Sequence, residues 1–442
     1  MNRPFETSRY FDYECSDLPR GVRLHIISQN TEPSPLLYVS VATGFGSTHL
    51  SCLDESGGVK HFPVGMAHFM EHLLFWLHFD DVLIPMSYKY LRDPNAVVTY
   101  DRSVWGISGA GMLEGKTYSP VKDQRRLAGA AGDIVRSFLS ILRTGRPRSE
   151  INSLIAKTVN DVGLEIGHRH DNSDYVLKLE LLSSLYREDP IRFDILGTRE
   201  SLREITGEHI NLALKVIRTN IRSVTVMGHG LSDGFVSEVR QLVSQAVSEQ
   251  PAEKAVRPIP PPVESSEVNR LSAGVRCGWD YDWALGVLGV KLPPPQRAAA
   301  SAEEAGRSVL INYLAMNHLS LGAGGILSPR ARAYFVSGVI EDRWFYWEQF
   351  TLRQVMDGFR RELVGRLNTY RESFEPYLAG TLKGLMREPR NLMRLCNTAD
   401  LFGFKLNELT GASGSVSEAD LDKLIAELRD AEGNVSLAYT EA

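Results

Sequence analysis

Cysteine is scarce in this sequence. Four occur among 442 residues, Cys15, Cys52, Cys277 and Cys396. None lies close to another, which argues against a disulfide framework or a thiolate zinc knuckle and fits a reducing, cytoplasmic setting. Long apolar runs are missing as well, so no segment is expected to span a bilayer. The first ten residues include Glu6 and no apolar core segment, so they resemble neither a secretory signal nor a transit peptide. Charge of one sign is not in excess: the net charge is −5, which gives no reason to expect nucleic acid or an anionic membrane as a partner.

What is present is an ordinary globular composition, 43% apolar and 23% charged. A chain of 442 residues exceeds what one core usually holds, and two domains are expected. The stretch that organises the rest runs from Gly65 to Trp76. No Gly or Pro interrupts it after Gly65, so it reads as a helix. At 3.6 residues per turn, His68 and His72 stand one turn apart and Glu71 lies between their directions. Apolar neighbours surround this face and turn it into a cleft. Two imidazoles at i, i+4 suit zinc, and a carboxylate beside a ligand can take a proton from an attacking water. The pattern is the inverted form of His-Glu-x-x-His.

The segments around it read as β structure. Val22, Leu24 and Ile26 alternate with Arg23 and His25, and residues 37–42 follow a polar turn with Pro33 and Pro35. A Gly/Ser-rich loop is expected over 44–65, and two more β-rich runs at 96–100 and 104–108. Together these predict an antiparallel sheet with the motif helix lying on it.

From Val121 the period changes to that of a helix, with Leu127, Ala131, Ile134, Val135, Phe138 and Leu142 on one face. A second helix is expected from about Ser149, with Ile151, Leu154, Ile155, Val159, Val162 and Ile166 as its stripe. Glu165 falls on the edge of that stripe. A carboxylate there is costly unless paired or metal-bound. Glu165 is therefore the best candidate for a third ligand, and the pattern alone leaves a salt-bridged helix residue equally open. Glu150 sits in a first helical turn, where an acid is ordinary dipole chemistry. His168, His170 and His78 are other nearby imidazoles; the first two suit a helix C-terminus.

Near residue 242 the composition turns polar and Pro-rich. The expected division is a first domain over 1–242, an extended linker over 243–265 and a second domain over 266–442. The second half again shows strands (283–292, 333–339, 344–352) and helices (302–318, 356–367, 375–386). Residues 224–228 and 435–439 close the two halves alike. An α+β unit, duplicated and diverged, accounts for this.

Four motifs carry a family resemblance: His68-x-x-Glu71-His72; Asn95-Ala96-Val97-Val98-Thr99-Tyr100-Asp101; Gly163-Leu164-Glu165-Ile166 with Asp171-Asn172; and Ile195-Leu196-Gly197-Thr198-Arg199-Glu200-Ser201-Leu202-Arg203-Glu204-Ile205-Thr206. They resemble the pitrilysin family of zinc peptidases, which includes mitochondrial processing peptidase and insulin-degrading enzyme. The resemblance is strong from about residue 20 to 235 and weak beyond. It implies two homologous domains, each an antiparallel sheet covered by helices. It further implies zinc held by His68, His72 and Glu165, with Glu71 as general base. Asn95 and Ala96 would lie on an edge strand that holds an extended peptide substrate by strand addition. The implied activity is that of a zinc endopeptidase subunit acting on short peptides, leader segments or targeting segments. A non-catalytic subunit that kept the fold is the alternative, and hydrolysis of a non-peptide substrate is a third reading.

Three departures from the family stand out. The interval of 93 residues between His72 and Glu165 is long, which points to an insertion around 79–90. Thr158 occupies the place of a second glutamate seven residues before the ligand. The family's arginine and tyrosine, seven positions apart after a Gly-rich turn, are not found. The turn is expected at 322–328, the nearest approach to the pair is Arg343 with Phe350, and Arg330, Arg332 and Tyr334 have the wrong spacing. Long single-chain members enclose a chamber with four such units. A chain with two therefore implies a second, homologous subunit that supplies the arginine-tyrosine pair in a heterodimer.

Overall fold

A computed structural model of the chain describes residues 10–30, 34, 36–110, 120–142, 148–250, 256–261, 267–270, 272–276, 284–295, 299, 301–318, 323–340, 352–372, 374–411, 416–431 and 434–441. The first half begins with β1 (Phe11–Asp17), β2 (Arg23–Gln29), β3 (Leu37–Thr43), β4 (Ser51–Leu53) and β5 (Val59–His61). Helix α1 (Met66–Leu77), a π-helical turn (Phe79–Leu83) and α2 (Ile84–Tyr90) follow, then β6 (Asn95–Val98) and β7 (Ser103–Ala110). Next come α3 (Pro120–Ile141), α4 (Arg148–His170), α5 (Ser173–Leu185), α6 (Arg199–Arg203) and α7 (Gly207–Thr219), and the half closes with β8 (Ile221–His229) and α8 (Asp233–Ser248).

The second half carries β9 (Arg257–Pro258), β10 (Ser272–Arg276), β11 (Ala284–Leu292), α9 (Ala302–His318), β12 (Ala323–Leu327) and β13 (Arg332–Ile340). Helices α10 (Leu352–Glu372), α11 (Phe374–Arg387), α12 (Pro389–Leu401), α13 (Leu406–Gly411) and α14 (Glu418–Asp430) precede β14 (Val435–Glu441). No helix of the described residues is long and apolar enough to cross a membrane.

The two halves repeat one topology. Their sheets run β1-β2-β8-β3-β7-β6 and β10-β14-β11-β13-β12. Setting β1 aside, each half pairs an early strand in parallel with its closing strand, β2 with β8 and β10 with β14. The remaining pairs are antiparallel. The fold is thus α+β with a duplicated unit. One parallel pair per half qualifies the expected antiparallel sheet, because the closing strand returns across a helical crossover. The equivalent of edge strand β6 is β12, so residues 323–327 form a strand and not the Gly-rich turn expected there.

Two further expectations change. Within 44–65, β4 and β5 pair as a small hairpin, with Ser51 opposite His61. Helix α8 continues to Ser248 because Val243, Ala246 and Val247 extend its buried stripe. The boundary placed at 242 therefore falls inside a helix. Within 243–265, Arg257 and Pro258 pair with Leu53 and Cys52 of β4. The expected insertion over 79–90 is helical. Arg343 and Phe350 lie outside the described residues, as does the strand expected over 344–352 apart from Leu352, which opens α10.

The first sheet is buried on both faces. Leu24 and Ile26 point into the core shared with α1, whereas Ile27, Tyr38 and Met227 join a core built mainly from the second half. His25 shares the second face and is 1% exposed. Asp400 of α12 meets it there: one carboxylate oxygen lies 3.5 Å from the His25 ring and 3.1 Å from Arg23, the other 3.3 Å from Arg102. Burial works against a charged His25, but Asp400 and the neighbouring Cys15 and Cys396 outweigh it and push its pKa up. Arg102 follows β6, so this network also ties the edge hairpin to the second half.

Candidate metal centre

The motif helix is anchored before its first turn. Gly65 caps it at φ +87°, and a Cβ there would stand 2.5 Å from the Leu196 carbonyl oxygen. Gly197, at φ +79°, faces it; a Cβ would meet the Val64 carbonyl oxygen at 2.5 Å. Only glycine allows this approach. Ser201 reinforces it by donating to Val64 O at 2.9 Å. Phe69, Met70, Leu73 and Leu74 are each 0% exposed, and burial of such side chains contributes roughly 1.5–3 kcal/mol apiece. That packing directs the remaining face of α1 at α4.

Across this contact three ligand atoms converge. His68 Nε2 lies 3.1 Å and His72 Nε2 3.4 Å from the same Glu165 oxygen, Oε2. The two imidazole centroids are 4.8 Å apart. Zinc bonds of roughly 2.0–2.2 Å place two ligand atoms of a tetrahedral site about 3.4 Å apart. The chain thus presents a nitrogen, nitrogen, oxygen set at the spacing a tetrahedral cation needs. Among the described residues no other cluster of His, Cys, Asp and Glu has this form.

The electrostatics suit the same use. The bond from His68, together with the charges of both imidazoles and Arg169, lowers the Glu165 carboxyl to about 2 against a smaller effect of burial. Burial, and then His68, lower the His72 pKa, which favours the neutral ring whose lone pair can bind metal. Glu71 goes the other way. Burial pushes its pKa up, as does the Glu165 charge, while His68 and the backbone N–H of Val98 oppose the rise. Its Oε2 is buried without a hydrogen-bond partner and lies 3.6 Å from His68 Nδ1. An orphaned carboxylate oxygen beside three ligand atoms is placed to receive a proton.

Asn95 and Ala96 lie on β6, which ends the first sheet with no strand on its outer side among the described residues. Asn95 Oδ1 accepts from the Ala96 N–H at 2.9 Å, so the amide is turned back onto its own strand. Strand β6 packs against α1, the helix that carries Glu71. Glu150, His168 and His170 are not brought to the cluster. The two histidines end α4, and His170 meets Asp194 at 3.3 Å. His78 is buried near Asp81, 3.6 Å away. Thr158 is 0% exposed.

Sequence reasoning missed the residues around the His68, His72 and Glu165 cluster. Arg169 holds the other oxygen of Glu165 at 3.5 Å. Trp76 donates its indole N–H to Asp161 Oδ2 at 2.8 Å, and the Lys157 ammonium sits 3.1 Å above the indole ring. The only signal for them is spacing, since Trp76 follows His72 by four and Asp161 precedes Glu165 by four.

No family model matches the chain. Over 184 residues it is 25% identical to the uncharacterised zinc protease YmfH of Bacillus subtilis (strain 168), covering 39% of this chain and 38% of that protein. The match thus spans little more than a third of that relative. Among solved structures, an M16-like peptidase from Alicyclobacillus acidocaldarius superposes with a TM-score of 0.72 at 17% identity, over 97% of this chain and 98% of the other. A Pseudomonas fluorescens structure described as an M16 peptidase inactive domain gives 0.63 at 13% identity, over 97% of each chain. Pitrilysin itself gives 0.60 at 14% identity, over 98% of this chain but 45% of its own. The architecture is that of the pitrilysin-type, or M16, peptidases, in agreement with the motifs.

Proposed function

We propose that this chain, with its pitrilysin-type fold, is the zinc-bearing subunit of an endopeptidase that cleaves short or extended peptides. The observation that carries the reading is the convergence of His68, His72 and Glu165 on one point with the unpartnered Glu71 oxygen beside it. Zinc, when bound, supplies Lewis acidity that polarises a carbonyl and acidifies water. Glu71 takes the proton of the attacking water at Oε2 and passes it to the leaving amine. Strand β6, with Asn95 and Ala96, receives the peptide as an added strand in line with the base.

A partner completes the site in this reading. The chain matches 45% of the length of pitrilysin, so it corresponds to half of such a long chain. A homologous second subunit would supply the arginine-tyrosine pair across the chamber. Leader or targeting segments, which bind as extended strands, fit as substrates, and the free thiols of Cys15, Cys52 and Cys396 fit the cytoplasm. The other reading is a non-catalytic subunit, favoured by the Pseudomonas domain described as inactive. The complete ligand set with its base supports catalysis here.

The test is cleavage of a random peptide library by the zinc-loaded chain, alone and with its homologous partner, before and after chelation. Cleavage that chelator removes and zinc restores is expected. Full zinc occupancy with no cleavage in any combination would establish the non-catalytic reading instead.

A further inference from the structure

Glu165 presents its two oxygens to different neighbours. Oε2 faces both imidazoles, 3.1 Å from His68 Nε2 and 3.4 Å from His72 Nε2, whereas Oε1 lies 3.5 Å from Arg169 Nη2, one turn further along α4. The Arg169 side chain is 57% exposed, and an exposed ion pair holds little by itself. Here it is braced. The Tyr175 ring faces the guanidinium with its centroid 5.7 Å away, and the Tyr175 hydroxyl donates to Asp194 at 2.6 Å. Asp194 is fixed in turn: its largely buried carboxylate also accepts from the Leu196 N–H at 2.9 Å and meets His170 at 3.3 Å. Its carbonyl accepts from the N–H of Gly197 at 3.0 Å, and Gly197 is the residue packed on Gly65 at the start of α1. Residues 194–197 therefore anchor both the helix that carries the two histidines and the ring behind Arg169.

We infer that Arg169, braced by Tyr175, is a positioning residue that holds Glu165 to a single ligating oxygen, Oε2. This rests on the reading of His68, His72 and Glu165 as the zinc site. A carboxylate can bind a cation through one oxygen or through both, and for glutamate the two modes differ by rotation about a soft terminal torsion. A catalytic zinc site with three protein ligands keeps its fourth position for water. A second oxygen from Glu165 would compete for that position. The guanidinium opposes this, because it stays charged at every working pH and its planar fork suits a carboxylate oxygen. Swinging Oε1 toward the imidazoles would draw it away from Arg169 and break the pair. Oε2 then remains the oxygen that faces His68 and His72.

The experiment is infrared difference spectroscopy, zinc-loaded minus zinc-free, on the full-length chain with isotope-labelled glutamate. Glu71→Gln serves as the background, so that Glu165 is the one glutamate of the cluster. The antisymmetric and symmetric carboxylate stretches stand far apart when one oxygen binds a metal and close together when both do, a signature that a change in packing alone would not move. A wide separation is expected in this background, and a narrowed one once Arg169→Gln is added, with thermal unfolding of the metal-free form unchanged. Arg169→Lys keeps a cation in place and is expected to restore most of the width. A wide separation in Arg169→Gln equal to that of the background, while Glu165→Ala still loses the metal, would overturn this inference and leave the site standing. So would a narrow separation before Arg169 is altered. A chain that binds no zinc would remove the site and the inference together. Should Arg169→Gln fail to fold, Tyr175→Leu decides: it removes the brace and keeps the cation, a partial narrowing is expected, and an unchanged separation overturns the inference.

Discussion

Arg330 pairs with Asp101 at 2.8 Å and with Asp189 at 3.1 Å, which joins the turn between β12 and β13 to the residue three places past β6. The second half thus grips the base of the edge strand that packs against α1. All three side chains are largely buried, so losing the cation strands two carboxylates. Arg330→Ala is expected to cost about 3 kcal/mol of stability and to speed hydrogen exchange over residues 95–98. Urea unfolding with site-resolved exchange checks both; unaltered exchange in β6 would mean that the contact does not hold the strand.

Replacement of Glu71 by Gln keeps the size and removes the carboxylate proposed as base. Turnover is expected to fall by about 10²–10⁴-fold, with zinc content unchanged by elemental analysis. Near-normal turnover would assign the proton transfer to another group.

The raised pKa of Glu71 in the metal-free chain has a sign that can be read out. Its carboxyl holds its proton more tightly folded than unfolded, so it costs stability once pH exceeds the ordinary glutamate value of about 4.3. Metal-free Glu71→Gln is therefore expected to unfold at a higher temperature than the natural chain at pH 7. The difference should shrink as pH falls through the ordinary value, where both forms are neutral. A pH-independent difference would point to packing and not to charge.

Glu165→Ala is expected to lose most bound zinc, whereas Glu150→Ala and His168→Ala retain it. Metal analysis after dialysis decides this, and full occupancy in the Glu165 variant would return the third ligand to Glu150 or His168.

The isolated chain is expected to bind zinc yet cleave peptides weakly, with activity appearing on mixing with a homologous subunit that lacks His-x-x-Glu-His. Full activity from the purified chain, at concentrations where sedimentation finds monomer or homodimer, would exclude the heterodimer.

What the sequence determined by itself is what local periodicity can encode. The three-residue face of α1, the helical stripe that carries Glu165 and strands β2, β3, β11 and β13 follow from spacing, and the structure places them as spacing demands, whereas β1 and β10 were not legible in it. Tertiary structure alone decided what lies opposite each face. Polar His25 on β2 reads as solvent-facing, yet Asp400, far along the chain, covers it. Helix α8 outlasts the composition change because its last apolar residues find a core. Asp161 reads as an ordinary helix acid until α1 brings Trp76 against it. Side-chain period is set within a few residues, whereas a partner across a packing interface is set by where two distant segments come to rest, and no spacing within either segment records that.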